Sequence, residues 1–245
     1  ENFDVKFDLT AREKVTRADF IGRDLVIVLG GDGTLTSISH NIDADTPVIG
    51  VNSHPIEDYP NGSFGFYMDS DVHTFGEDIV TALKGEAIIN EIPRLQAIID
   101  TTSGNRFTTD PAMNDLLIAN THQYAPSKYH LRRDGKKCRQ QSSGIVFSTW
   151  LGQGAWLNHI LEEETLEKLR NKVDYAEIDS HYFVVSREIS HAQRDENPWS
   201  WFDWTDQDTV LTSDMHRGYV VPDGWDEVHF NSCLLYTSPS PRDNR

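Results

Sequence analysis

The sequence predicts an α/β domain built on a parallel sheet, followed by a β-rich, sandwich-like domain. Three observations support this. A five-residue apolar run, L-V-I-V-L over 25–29, stops at a Gly-Gly-Asp-Gly turn. Strand-like and helix-like segments then alternate as far as Lys84, the pattern of a parallel sheet with crossover helices. From about Glu91 the texture changes to short strand-like runs and a D-G hairpin. The boundary falls at 91–93, giving a first domain over 1–92 and a second over 93–232.

The apolar run does not alternate, so it reads as a strand buried on both faces. After the turn, 35–42 reads as a short helix, weakened by Thr36, Ser37 and Ser39, and Thr46-Pro47 breaks it. A second buried strand covers 48–51 and ends at Asn52. A loop over 53–63, rich in His, Pro, Asp and Gly, closes on Gly65-Phe66. Val72, Phe75, Ile79, Val80 and Leu83 recur at helical spacing, which predicts a helix over 72–84 stopped by Gly85. In the second domain 95–100, 115–119, 144–149, 182–186 and 220–230 are strand-like. The runs 129–133 and 136–141 flank Asp134-Gly135 as a hairpin. A helix over 162–169 opens on Glu162, Glu163 and Glu164, a solvated first turn that the helix dipole favours.

With 245 residues the chain can bury one large core or two modest ones. Its formal net charge of −17 opposes a phosphodiester backbone or an anionic membrane as partner, so neither nucleic acid nor membrane is expected. No apolar stretch approaches the length of a membrane span. Cys138 and Cys233 lie far apart and signal neither a disulfide framework nor a zinc site. His54, His122 and His159 share no ligand spacing, and no metal ligand is predicted among the side chains. No signal peptide is visible, which points to the cytoplasm, or to the mitochondrion if a leader preceded Glu1. Residues 1–22 are too short and polar to supply the strand and helix expected before Leu25, so the first domain is expected to begin upstream. Residues 233–245 turn Ser/Pro-rich, resemble a translated adapter sequence and are set aside from the fold.

The chemistry centres on G-G-D-G-T, Gly30 to Thr34. Glycines at the carboxyl end of a parallel strand let backbone N–H groups approach an anion, and such turns are where open α/β sheets bind ligands. Asp32 adds one carboxylate and Thr34 one hydroxyl. No Lys-Ser/Thr follows, so this is not a P-loop, and the G-x-G-x-x-G dinucleotide pattern is absent. A plain tight turn is the alternative reading of the tetrapeptide. Four further segments stand out: P-V-I-G-V-N-S-H-P with G-F (47–55, 65–66), A-M-N-D-L-L-I (112–118), Q-S-S-G-I-V-F-S-T-W-L-G-Q-G-A-W (141–156), and Asp223-Gly224.

In order and spacing these segments resemble the NAD kinase family, over roughly 24–232. The likeness extends to the divergent branch that includes the mitochondrial enzymes, through S-S-G before one strand and A-W after the second glycine turn. The resemblance implies a Rossmann-like first domain, a β-sandwich-like NAD-binding second domain, and phosphoryl transfer from ATP to the adenosine-ribose 2′-hydroxyl of NAD, giving NADP. It implies Mg²⁺ carried with ATP, and a homodimer or homotetramer. Asp32 would be the catalytic base. Gly31, Gly33, Thr34, Asn52, Asn114, Asp115, Ser143, Gly152, Gly154, Ala155, Trp156 and Asp223 would bind the nucleotides. Asn114-Asp115 stands where the family has Asn-Glu. Residues 151–156 stand where it has Thr-Gly-Ser-Thr-Ala-Tyr, keeping Gly152 and Ala155. Ser143 takes the place of an aspartate beside the nicotinamide.

Two other functions stay open. Leu151, Gln153 and Ser143 suit a non-catalytic nucleotide-binding homologue. A diacylglycerol- or sphingosine-type lipid kinase shares G-G-D-G-T, but here the next strand ends V-I-G-V-N-S-H-P rather than P-x-G-T-x-N-D. The cluster Trp199, Trp201, Trp204 is read as packing ahead of a stacking platform. The basic run Lys128, Arg132, Arg133, Lys136, Lys137, Arg139 is read as a solvated hairpin ahead of a phosphate-facing lip. Asp223 either binds substrate or shapes the turn before Gly224.

Overall fold

The computed structural model describes residues 3–171, 173–231 and, by backbone, 233–240. The chain divides into two compact units, Glu1–Glu91 and Ile92–Arg245. The first contains β1 (Val26–Gly30), α1 (Asp32–Ser39), β2 (Val48–Asn52), β3 (Ser70–Asp71) and α2 (Phe75–Leu83). Its strands form a parallel sheet in the order β1-β2-β3, with Val26 opposite Val48 and Gly30 opposite Asn52. Val28 and Val51 are buried, as are Leu35 and Ile38 of α1. The sheet therefore packs its helix on one face.

Two expectations for this unit are corrected. β1 is buried on one face only: Ile27 and Leu29 are 40% and 58% exposed, because no described element seals the side away from Val28. A continuous apolar run does not reveal how many faces are covered. The helix begins at Asp32 rather than Leu35 and ends at Ser39. Gly31 caps it, and the amides of Thr34 and Leu35 donate to the Gly31 carbonyl at 2.8 and 3.3 Å, so the turn runs directly into the helix.

The second unit contains β4 (Arg94–Thr101), β5 (Arg106–Thr108), β6 (Asp115–Asn120), β7 (Ser127–Arg133), β8 (Lys136–Ser142), β9 (Ile145–Ser148), α3 (Leu157–Ile160), α4 (Glu163–Arg170), β10 (Tyr182–Ser186), α5 (His191–Glu196), α6 (Pro198–Trp201), β11 (Phe202–Thr205), β12 (Thr209–Ser213), β13 (Gly218–Pro222), β14 (Val228–Phe230) and β15 (Cys233–Ser240). They form two six-stranded antiparallel sheets, β11-β10-β9-β6-β13-β14 and β5-β4-β15-β12-β7-β8. One core joins the sheets. Leu95, Ile99, Tyr129, Leu131 and Leu211 come from one, and Leu116, Ile118, Ile145, Phe147, Tyr182 and Val220 from the other. This is sandwich packing. The outer face of the first sheet is covered too, because Phe183 and Val185 pack on Trp150, Leu157, Leu161 and Leu166. Strands covered on both sides need no alternation, which explains the unbroken apolar runs in β9 and β10.

The hairpin turns at Asp134 and Gly135 with φ of 47° and 70°, as a two-residue turn matched to strand twist requires. Residues 220–230 are not one strand. A turn at Asp223-Gly224 separates β13 from β14, closed by Trp225 N–H donating to the Pro222 carbonyl at 2.8 Å. Within the basic run Arg133 departs from the solvated reading. It is 4% exposed and pairs with Asp203 and the Trp199 carbonyl, while its neighbours Lys128, Arg132, Lys136, Lys137 and Arg139 are exposed. Trp201 and Trp204 pack against the cluster around Phe183, and Trp199 against the inter-sheet core. Of the segment set aside, 241–245 lies outside the described residues. Cys233–Ser240 instead runs as β15 between β4 and β12, and its C-L-L-Y-T start has strand composition. No helix among the described residues is long and apolar enough to cross a membrane.

Candidate functional site

In the first unit, β1 delivers Gly30 and Gly31 to the carboxyl edge of the parallel sheet, beside Asn52 at the end of β2. Ser53 N–H donates to the Gly30 carbonyl at 2.9 Å and ties the two strand ends together. A Cβ on Gly30 would lie 2.3 Å from Thr34 Oγ1, so only glycine lets the strand end meet the first turn of α1. Gly33 has no atom within 4 Å of its missing Cβ and is exposed. Asp32 is half-buried. Its Oδ1 accepts the Tyr67 amide at 2.8 Å and its Oδ2 accepts the Ser63 hydroxyl at 2.9 Å. A fixed carboxylate therefore stands at the start of a helix, among backbone amides suited to an anion.

In the second unit a pocket is lined by Asn114, Asp115, Leu117, Ala155, Trp156, Val221, Asp223 and Gly224. β6 brings Asp115, with Asn114 just before it, and the turn after β13 brings Asp223. Asp223 has φ of 48°, and its carboxylate accepts the amides of Met113, Asn114 and Asp115 at 2.7, 2.7 and 3.1 Å. It shapes the turn and also fixes the start of β6. Asp115 is 6% exposed. Burial, then the neighbouring Asp223 carboxylate, push its pKa up to about 7, against a smaller opposing pull from the Trp156 amide. Gly152 supplies a close approach: a Cβ there would sit 2.3 Å from Ser148 Oγ and 2.4 Å from the Asn114 carbonyl oxygen. Thr149 N–H donates to that same carbonyl at 2.9 Å.

Residues 6–87 match the model of the ATP-NAD kinase N-terminal domain, a span that contains the whole glycine turn. That match covers about a third of the chain, and the relatives that resemble it are NAD kinases. An NAD kinase of Clostridium perfringens is 26% identical over 141 residues, which is 56% of this chain and 47% of the relative. One from Lachnospira eligens is 30% identical over 135 residues, 54% of this chain and 43% of the relative. The match thus spans less than half the length of these curated relatives. Among solved structures, an Archaeoglobus fulgidus NAD kinase in complex with ATP superposes with a TM-score of 0.65 at 15% identity, covering 92% of this chain and 78% of that one. Yeast NADH kinase complexed with NADH gives 0.68 at 16%, covering 92% and 61%. The chain therefore shares its fold with these two kinases.

Within this NAD kinase fold the sequence-predicted residues fall into three places. Gly31, Asp32, Gly33, Thr34 and Asn52 share the carboxyl edge of the parallel sheet. Asn114, Asp115, Ala155, Trp156 and Asp223 line the pocket, and Gly152 and Gly154 belong to the turn that leads to it. Ser143 does not line the pocket: it precedes β9, while Asp115 pairs with Ser148 at that strand's other end. Its hydroxyl donates to Glu188, whose φ is 49°. Arg187 links the two regions. Its backbone exchanges hydrogen bonds with Ser143 and Gly144, and its guanidinium lies 5.1 Å from the centroid of the Trp156 ring. The sequence reading missed Ser63, Tyr67 and Arg187. Only Ser63 left a trace, as the last residue of the loop before Gly65-Phe66.

Proposed function

We propose that this chain transfers a phosphoryl group from ATP to the adenosine-ribose 2′-hydroxyl of NAD, giving NADP. The observation that carries the proposal is Asp32, a carboxylate held by both oxygens at the first position of a helix that follows a glycine turn. Asp32 accepts a hydrogen bond from the hydroxyl, orients it, and takes its proton late in the step. The hydroxyl oxygen bonds to the γ-phosphorus as the bond from that phosphorus to the ADP oxygen breaks. Backbone amides at the turn and the start of α1 favour the triphosphate. No group of three or more His, Cys, Asp or Glu among the described residues could hold a metal. Mg²⁺ would come carried on the triphosphate, since it is commonly bound through phosphates and one or two carboxylates; when bound it neutralises phosphate charge.

The second-unit pocket suits a nucleoside. Asn114 offers both a donor and an acceptor for a base edge or ribose, and Trp156 offers an aromatic surface. Support comes from the similar solved structures, which hold ATP in one case and NADH in the other. The test incubates the full chain with MgATP and NAD and reads NADP with an NADP-specific dehydrogenase. NADP formation is expected. Binding of NAD without product would assign a non-catalytic nucleotide-binding role, and phosphorylation of diacylglycerol in a parallel reaction would assign a lipid kinase.

A further inference from the structure

We propose that Ser63 is a positioning residue for Asp32, and that Asn52 serves the site by holding Ser63 rather than by touching nucleotide. The inference rests on reading Asp32 as the base.

The Ser63 hydroxyl has one donor and two acceptor sites, and all three are used at the glycine turn. It donates to Asp32 Oδ2 at 2.9 Å and accepts the amides of Gly65 at 3.2 Å and Asp32 itself at 3.4 Å. The Ser63 backbone is equally fixed. Its amide donates to the His54 carbonyl at 2.8 Å, and its carbonyl accepts Ile56 N–H at 3.0 Å and Asn52 Nδ2 at 3.0 Å. Asn52 is 4% exposed, and its Oδ1 accepts the His54 amide at 3.2 Å. Donor and acceptor of the one amide thus both serve the loop, and its product is a serine hydroxyl placed against the carboxylate.

The turn is shaped for this contact. A Cβ on Gly31 would lie 2.7 Å from Ser63 Cβ and 2.9 Å from its hydroxyl oxygen, so the close approach of the loop requires glycine at that position. Tyr67 N–H holds the other oxygen, Oδ1, at 2.8 Å. Held at two points, the carboxylate cannot rotate, and each oxygen keeps lone-pair capacity for an incoming hydroxyl. Correct placement of a catalytic group lowers the barrier by removing orientational freedom before the reaction begins.

The test uses Ser63→Ala in the full chain. The expected result is a kcat lower by about tenfold to a hundredfold, the scale of a small misplacement of a catalytic group, while KM for ATP and for NAD stays within about twofold because the lost contact acts on the chemical step. A second readout needs no turnover: amide hydrogen exchange at Tyr67, whose N–H is bonded to the held carboxylate. Ser63→Ala should speed that exchange about tenfold, the worth of one hydrogen bond, and leave Leu29 and Val51 in the sheet unchanged. In an Asp32→Ala background the same substitution should add nothing, which separates positioning of Asp32 from general loosening of the loop. Unchanged Tyr67 protection in Ser63→Ala, or equal acceleration with and without Asp32, overturns the proposal. A wild-type chain that forms no NADP defeats the functional reading instead, and the exchange measurement still decides whether Ser63 holds Asp32.

Discussion

Replacing Asp115 with asparagine should stabilise the second unit at alkaline pH and leave it unchanged in acid. Asp115 is 6% exposed, and burial together with Asp223 raises its pKa from 3.8 to about 7. A carboxyl whose folded pKa is raised binds its proton more tightly in the native state. The native state is therefore favoured below pH 4, and that contribution is lost as pH rises through about 7. A rise from 3.8 to about 7 corresponds to about 4 kcal/mol by the time both states are ionised. Asparagine has the same shape, keeps an oxygen for the Trp156 amide and carries no charge beside Asp223. The assay is urea denaturation of wild type and Asp115→Asn at intervals from pH 4.5 to 8.5, followed by far-UV circular dichroism. Taking the difference between the two proteins cancels every other titrating group. The difference should open between pH 4 and pH 8 in favour of the variant, approaching a few kcal/mol. A difference that stays flat across that range would refute the account of Asp115 as a desolvated acid beside a second carboxylate.

Two further outcomes are expected. Asp32→Asn should lower turnover by about 10²- to 10⁴-fold, the usual worth of a positioned acid–base group, with the chain still folding cooperatively; near-normal kcat would remove Asp32 from the mechanism. Gly152→Ala places a methyl group 2.4 Å from the Asn114 carbonyl oxygen and 2.3 Å from Ser148 Oγ. The backbone must shift to admit it, which should destabilise the second unit by about 1–3 kcal/mol and weaken NAD binding measured by calorimetry.

What the sequence disclosed was local. The glycine turn, the D-G hairpin and the helical spacing of Phe75, Ile79 and Val80 are each set by residues within a few positions of one another; the helix itself runs Phe75–Leu83, so Val72, counted in that spacing, lies before it. Burial was less legible. Leu25 to Leu29 looks the same whether one face or two are covered, and the open face at Ile27 and Leu29 depends on what else packs there. Arg133 was one cation in a basic run by sequence. Strand alternation turns it inward, where it meets Asp203 70 positions later, while its exposed neighbours remain in solvent.

The site's supports were hidden for the same reason, and they change how its glycines are understood. The bond from Ser63 to Asp32 spans 31 positions, and the bonds from Asp223 to residues 113–115 span 108 to 110. No motif encodes such pairs, because they arise from sheet order and loop closure. Gly31 and Gly152 were read as glycines so that a nucleotide could approach. In the folded chain both already face protein, Ser63 in one case and Ser148 with Asn114 in the other. Each therefore places an acceptor or acid of the site before any ligand arrives. Gly33, with nothing within 4 Å, is the glycine of the turn left open to a ligand. A glycine-rich motif thus combines two features, close packing that fixes Asp32 and open backbone at Gly33, and only the neighbours of each missing Cβ tell them apart.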